Sequence, residues 1–252
     1  VKPYILVTND DGVSAPGILA LARAMEPLGR VAVIGPARNQ SASGHKKTLF
    51  QDIAVRQTWM ADGSTAALAV EGSPADGIAL AALGLVEWPP RLVVSGINRG
   101  ANMGQDITYS GTVTAALEAS IQGVPAVAFS LDDHEANSVE DYAEAARIAA
   151  QVIRTVLTKA LPPLTILNVN IPPGPVQGIR LTRQGVRVYA DALLQKGDIC
   201  QIVGDAPGGL TDEEGTDLWA LHRGYASITP IHLDMTAHRF LADLAAWELG
   251  GG

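Results

Sequence analysis

The chain of 252 residues contains one cysteine, Cys200, which excludes an intrachain disulfide and a thiolate zinc cluster and fits a reducing compartment. On its own, Cys200 reads as a small buried apolar residue. No apolar run approaches the roughly 18 residues of a membrane span, and the first residues lack the basic-then-apolar layout of a secretory signal, so a cytoplasmic protein without a membrane partner is expected. Cations are outnumbered, 18 Lys and Arg against 26 Asp and Glu, for a net charge of −8. That balance argues against a duplex nucleic-acid binder, whose affinity rests on clustered Lys and Arg. Three signatures are also missing: Gly-x-Gly-x-x-Gly after the first strand, the Walker Gly-Lys-Ser/Thr, and the Gly-x-Ser-x-Gly nucleophile elbow. Dinucleotide, ATP-dependent and serine-hydrolase readings recede with them.

What is present is an α/β pattern with 47% hydrophobic residues, enough for one large core plus a smaller appendage. Short apolar runs, Tyr4 to Thr8, Val31 to Pro36, Leu92 to Ser95, Ala126 to Leu131 and Ile166 to Pro172, read as doubly buried strands. Helical patterns alternate with them. Pro16 opens one in which Ile18, Leu21, Ala22 and Met25 share a face; Pro74 to Leu85, Val113 to Gln122 and Val139 to Leu161 supply others. The expectation is a Rossmann-like three-layer sandwich with a mostly parallel sheet. Lys46 to Val70 breaks the rhythm and predicts an inserted β-hairpin around Ala61-Asp-Gly63. After Pro175 come strand-like pieces, a Gly- and Asp-rich loop from Gly204 to Gly215, and a helical tail from Ala237 to Leu249. We therefore divide the chain into a core, residues 1–175, and a C-terminal extension, residues 176–252, not expected to continue the parallel sheet and suited to closing a site or joining subunits.

The first strand runs into Asn9, Asp10, Asp11 and Gly12, where open α/β sheets place their ligands. A second polar cluster, Ser95 to Gly104, follows Leu92-Val-Val. Asp10 and Asp11 are hard oxygen ligands, and the neighbouring candidates, Ser41, Ser43, Asn98 and Asn102, also offer oxygen. An oxygen-only set favours Mg²⁺ or Mn²⁺ over Zn²⁺. His45, His134, His222, His232 and His238 lack the paired spacing of a zinc helix and read as surface or core residues, with His45 set apart by following the Ser41 loop. Taken alone, Asp-Asp-Gly is a tight turn and Ser110 a helix cap. Together with Ser110, Gly111 and Thr112 ahead of a helix, where hydroxyls and unpaired N–H groups can hold a phosphate dianion, they read as a phosphate-and-metal site.

Val7-Thr-Asn-Asp-Asp-Gly12, Pro36 to Ser43, Gly72-Ser-Pro-Ala-Asp76, Ser95-Gly-Ile-Asn98 with Gly100, Asn102 and Gly104, Tyr109-Ser-Gly-Thr112 and Gly224-Tyr-Ala-Ser-Ile-Thr-Pro230 resemble, in order, the SurE family of survival-protein nucleotidases. The resemblance implies a metal-dependent phosphatase of nucleoside monophosphates, with a C-terminal extension that forms a homodimer or homotetramer. By motif position Asp10, Asp11, Ser41 and Asn98 take the ligand roles for one divalent ion per subunit, Mg²⁺ or Mn²⁺. Asn9, Ser110, Gly111 and Thr112 lie around the phosphate. Asp10, Asp11 and Asn9 are the catalytic candidates, with water attacking directly or one aspartate forming an aspartyl-phosphate. A non-catalytic nucleotide or metal sensor on the same fold is the rival reading. No aromatic residue is assignable to the base.

Overall fold

The computed structural model describes residues 2–204 and 208–247. Its main sheet has nine strands in the order β3-β4-β2-β1-β5-β6-β7-β13-β8. These are β1 (Tyr4–Thr8), β2 (Arg30–Pro36), β3 (Val55–Trp59), β4 (Ala66–Val70), β5 (Leu92–Arg99), β6 (Ala126–Leu131), β7 (Thr165–Ile171), β8 (Ile179–Leu181) and β13 (Ala226–His232). From β4 to β7 every neighbouring pair is parallel. The order runs outward from β1 through β2 to β4 and, on the other side, from β5 to β7. The reversal falls between β1 and β5, and a crevice at the carboxyl ends of such strands is where this class of sheet takes ligands.

Alternation along each central strand builds two cores. Ile5 and Val7 of β1 and Leu92 and Val94 of β5 face a cluster with Ile18, Leu21 and Met25 of α1 (Pro16–Met25) and Ile148 and Ile153 of α4 (Ala143–Val156). Leu6 and Val93 point to the other face. They meet Ile78 of α2 (Pro74–Leu80) and Val113 and Leu117 of α3 (Gly111–Ile121). Three layers result, as the alternating pattern predicts.

Helix bounds differ from the expected runs where local chemistry intervenes. The Pro74 segment leaves α-helical geometry after Leu80 and ends in a wider turn, Ala81–Leu85, at Gly84, whose φ is +106°. The Val139 run is a single 3₁₀ turn, Glu140–Tyr142, continued by α4, which stops before Pro162 and Pro163. The predicted hairpin is present as β3 and β4, and β4 also pairs with β2, so the insertion widens the main sheet.

The C-terminal third does more than append to the core. β13 joins the main sheet antiparallel to β7, and β8 pairs in parallel with its first half, Ala226–Ile228. Pro230 lies beyond the stretch that β8 pairs, which is where a strand tolerates a missing N–H. The rest is a two-stranded hairpin of β10 (Asp191–Lys196) and β11 (Ile199–Gly204), a short pair of β9 (Arg187–Val188) and β12 (Gly208–Gly209), and helices α5 (Asp217–His222) and α6 (His238–Ala245). Cys200, expected in the core, is exposed on this hairpin. Part of the Gly204–Gly215 loop, residues 205–207, and the end of the expected tail, Glu248 and Leu249, lie outside the described residues. No described helix is long and apolar enough to cross a membrane.

Candidate active site

The site starts from the end of β1. Thr8, Asn9 and Asp10 are buried there, and Gly12, at φ +102°, turns the chain back so that Asn9 Nδ2 donates to Gly12 O at 2.9 Å. Asn9 Oδ1 is buried with no protein partner. Asp10 Oδ1 accepts from Thr112 Oγ1 at the start of α3. That close approach depends on glycine, because a Cβ at Gly111 would lie 2.7 Å from Asp10 Cβ and 2.8 Å from Asp10 Oδ2. Burial pushes the Asp10 carboxyl up to about 6; Thr112 opposes the shift and the neighbouring charge of Asp11 adds to it.

Asp11 accepts from Asn39 Nδ2 at 3.2 Å and from the Arg99 N–H at 3.1 Å. Burial raises its pKa too. Arg99 ends β5, which does not stop at Ser95 as the apolar run suggests. Its register against β6 jumps between Ser95 and Asn98, around a Gly96 at φ +133° where a Cβ would meet Phe129 O at 2.3 Å. The irregularity delivers Asn98 to the cleft. Asn98 Nδ2 donates to Gly100 O at 2.7 Å, which leaves its oxygen as the end of the amide without a protein partner.

Asp10, Asp11, Ser41, Asn98 and Ser110 line one cleft of about 480 Å³. The structure therefore brings the proposed ligands together from β1, from the β2–β3 loop and from β5. Asn9, Gly111 and Thr112 stand behind Asp10 and do not line the cleft. Ser110 caps α3 by accepting from the Val113 N–H at 3.1 Å, and its hydroxyl also faces the cleft, so the cap and ligand roles are compatible. The two further oxygen candidates behave differently. Asn102 lines the cleft but is built into a buried network with Ser130, Asn168 and Asn170, whereas Ser43 is not part of the lining.

Sequence reasoning gave no site role to five polar lining residues, Arg99, Asp106, Tyr109, Arg187 and His134, the last read as a surface or core residue. Tyr109 was within reach of the Ser110 motif. His134 comes from the β6–α4 connection, where a Cβ at Gly100 would meet its ring at 2.5 Å, and nothing local marks it. Arg187 comes from the C-terminal third. Asp106 holds it by Nε at 2.5 Å and also accepts from Tyr189 Oη at 2.6 Å; desolvation and then the Asp106 carboxylate push the Tyr189 hydroxyl up to about 12, against the charge of Arg187.

The family model described as Survival protein SurE matches residues 5–191. The chain belongs to the SurE family. A relative from Chloroflexus aggregans named 5'-nucleotidase SurE is 44% identical, covering 97% of this chain and 99% of its own. One of the same name from Syntrophotalea carbinolica is 46% identical over 97% of each. The SurE protein crystal structure from Aquifex aeolicus superposes with a TM-score of 0.81 at 39% identity, covering 96% of this chain and 98% of that one. The likeness spans the core and the C-terminal third alike.

The donor chemistry of this SurE-family site suits a hard divalent cation. Among the described residues no three His, Cys, Asp or Glu side chains are grouped to hold a metal, so a cation on Asp10 and Asp11 draws its remaining protein ligands from hydroxyl and amide oxygens. Two adjacent carboxylates share one cleft, both raised by burial, with a serine hydroxyl and an amide oxygen beside them. Carboxylates with neutral oxygen donors are what Mg²⁺ or Mn²⁺ takes, and here the charge of Arg99 offsets only part of theirs.

Proposed function

We propose that the chain is a metal-dependent 5'-nucleotidase that hydrolyses nucleoside monophosphates to nucleoside and phosphate. The observation that carries the reading is the convergence of Asp10, Asp11, Ser41 and Asn98 on the cleft that Ser110 lines from the first turn of α3. Four oxygen donors and a helix N-terminus at one crevice accommodate a cation and a phosphate dianion side by side. The relatives' shared name supplies the substrate class.

Asp10, Asp11, Ser41 and Asn98 hold one Mg²⁺ or Mn²⁺ per subunit, which when bound supplies counter-charge to the phosphoryl oxygens. Ser110, at the cap of α3, receives the phosphate and orients it. Thr112, bonded to Asp10 from behind, fixes that carboxylate, and Asn9 braces the turn through Gly12. Asp11 orients a water in line with the leaving oxygen. The new bond joins that water oxygen to phosphorus as the water gives up one proton to solvent, the bond to the nucleoside oxygen breaks, and the alkoxide takes a proton from solvent. Asp10 is a poorer nucleophile for the aspartyl-phosphate alternative, because it is buried and bonded to Thr112. Hydrolysis of 3'-monophosphates and of short polyphosphate uses the same phosphoryl chemistry and belongs to the same proposal. So do a cytoplasmic location and a homodimer or homotetramer joined through the C-terminal third.

Phosphate release from a panel of 5'- and 3'-monophosphates, with and without Mn²⁺, tests the reading. Activity should vanish with EDTA and return with Mg²⁺ or Mn²⁺. Asp11→Asn should lower kcat by about 10³, or ~4 kcal/mol of transition-state stabilisation, with an unchanged circular dichroism spectrum. Full turnover in metal-free buffer sinks the metal site. Nucleotide binding without any turnover leaves the sensor.

A further inference from the structure

Residues 37–54, between β2 and β3, form no helix or strand, yet this loop carries Ser41 into the cleft. Irregular segments of this length inside a compact fold need fixing from outside themselves. Ala42 and Phe50 take positive φ, +58° and +60°, a region that few non-glycine residues adopt. Two buried carboxylates from the opposite helices do the fixing. Asp76 of α2 accepts from the Thr48 N–H at 2.6 Å and Thr48 Oγ1 at 2.9 Å. Glu118 of α3 is the more unusual of the two. It accepts from His45 Nε2 at 3.1 Å, Lys47 Nζ at 3.0 Å and, within its own helix, Gln122 Nε2 at 3.0 Å.

Glu118 is 3% exposed, on a helix that packs Val113, Ala115, Ala116, Leu117 and Ala119 into the core. A charge there is costly unless it is paired and hydrogen-bonded. Burial alone pushes this carboxyl up, but the bonds from His45, Gln122 and Lys47 outweigh it and hold it down at about 2. Since an ionised carboxylate only accepts, His45 carries a proton on Nε2. Two further bonds fasten the loop: Thr114 Oγ1 of α3 donates to Gly44 O at 3.0 Å, and the Gly44 N–H donates to O of Tyr109, just ahead of α3, at 2.9 Å.

We infer that Glu118 is a positioning residue for the phosphatase reaction: through His45 and Lys47 it locks the Ser41 loop onto α3, and so sets Ser41 against Asp10 and Ser110. The two halves of the site are carried by separate elements, Ser41 by the loop, where the Gln40 N–H also bonds Asp10 O at 2.7 Å, and Ser110 by the cap of α3. Glu118, two turns into that helix, ties them to one frame. Its effect on the reaction is exerted through Ser41, not by touching substrate. The inference rests on the reading that Ser41 belongs to the cation site.

A double-mutant cycle separates the two. Mn²⁺ affinity is measured by calorimetry, with kcat and KM, for Ser41→Ala, Glu118→Ala and the pair. Ser41→Ala should weaken Mn²⁺ binding about tenfold; if it does not, the site reading fails. Glu118→Ala should weaken it by a similar factor in the parent chain and by less than twofold in the Ser41→Ala background. Equal effects in both backgrounds make Glu118 a structural residue only and overturn the inference. Should Glu118→Ala not fold, the surface-side pair His45→Leu with Lys47→Met leaves α3 intact and should give the same non-additivity. Unchanged Mn²⁺ affinity in that folded variant, with Ser41→Ala impaired, also overturns it. Glu118→Gln, which keeps an acceptor oxygen, should recover part of the affinity.

Discussion

Gly111 lies so close to Asp10 that any side chain on it overlaps the Asp10 carboxylate, since a Cβ there would stand 2.8 Å from Asp10 Oδ2 and 3.1 Å from Pro74 Cγ. Neither neighbour yields easily, since Asp10 is bonded to Thr112 and Pro74 opens α2. Gly111→Ala should therefore shift the N-terminus of α3 away from β1. Helix propensity works in the opposite sense, favouring Ala over Gly by about 1 kcal/mol in a helix interior. The variant should fold, with thermal stability within a few degrees of the parent, and lose at least about 100-fold in kcat/KM. Activity within threefold of the parent shows that the contact is loose and that α3 does not register the phosphate turn.

The raised pKa of Asp10 makes a signed prediction about stability. The unfolded chain gives up this proton near 3.8, whereas the fold retains it to about 6. Between those values the native state binds more protons, so Asp10 makes unfolding easier as pH rises, and its contribution is level above about 6. The span corresponds to about 3 kcal/mol. Glu118, with its pKa lowered, acts in the opposite direction and at lower pH, losing its stabilisation as pH falls from 4.5 towards about 2. In EDTA, the difference in Tm between Asp10→Asn and the parent should thus grow in favour of the variant from pH 4 to pH 6. Added Mn²⁺ should reverse the order at pH 7, because the cation binds the ionised carboxylate. Parallel pH profiles for both proteins in EDTA would remove Asp10 from the buried pair.

The legibility of this chain divides along physical lines. Asp10 and Asp11 stood out because two acids and a glycine directly follow an apolar strand, and Asn98 because its glycine-rich run ends another. The parallel core and the β3–β4 hairpin followed from short apolar runs and turn residues, which are local signals. What stayed hidden depends on distant partners. β13 reaches the main sheet only by pairing with β7, and its composition does not distinguish that from an independent appendage. His134 and Arg187 join the cleft through the packing of Gly100 and the bonds of Asp106. The extension of β5 through Asn98 was masked because glycine and asparagine read as loop.

Ser110 tests whether one hydroxyl serves both helix and substrate. As a cap it accepts from the Val113 N–H, and its own hydrogen remains to donate to a phosphate oxygen. Replacing a serine cap by alanine costs about 1 kcal/mol, but by glycine only a few tenths. Ser110→Gly should consequently keep most of the stability while raising KM for a nucleoside monophosphate five- to tenfold. Ser110→Ala should show both losses. Kinetics that match the parent in Ser110→Gly reduce Ser110 to a cap.

The β10–β11 hairpin argues for association. Leu193 and Ile202 pair directly across it and are 68% and 80% exposed, and Ile199 on the other face is 74% exposed. A lone two-stranded hairpin is marginal in water even without such a burden, so apolar side chains on both faces call for a covering surface. A second copy of the chain is the partner we expect, giving a homodimer or homotetramer. Light scattering at micromolar concentration should report at least twice the monomer mass, and Leu193→Asp with Ile202→Asp should reduce it. The hairpin begins two residues after Tyr189, which with Arg187 is bonded to Asp106 at the cleft. Dissociation should for that reason also raise KM, while Asp10, Asp11 and Asn98, carried by the central strands, keep their arrangement and the metal affinity with them. A parent protein that is monomeric at that concentration rules out the subunit-joining role and leaves the hairpin as part of a single-chain wall beside the cleft.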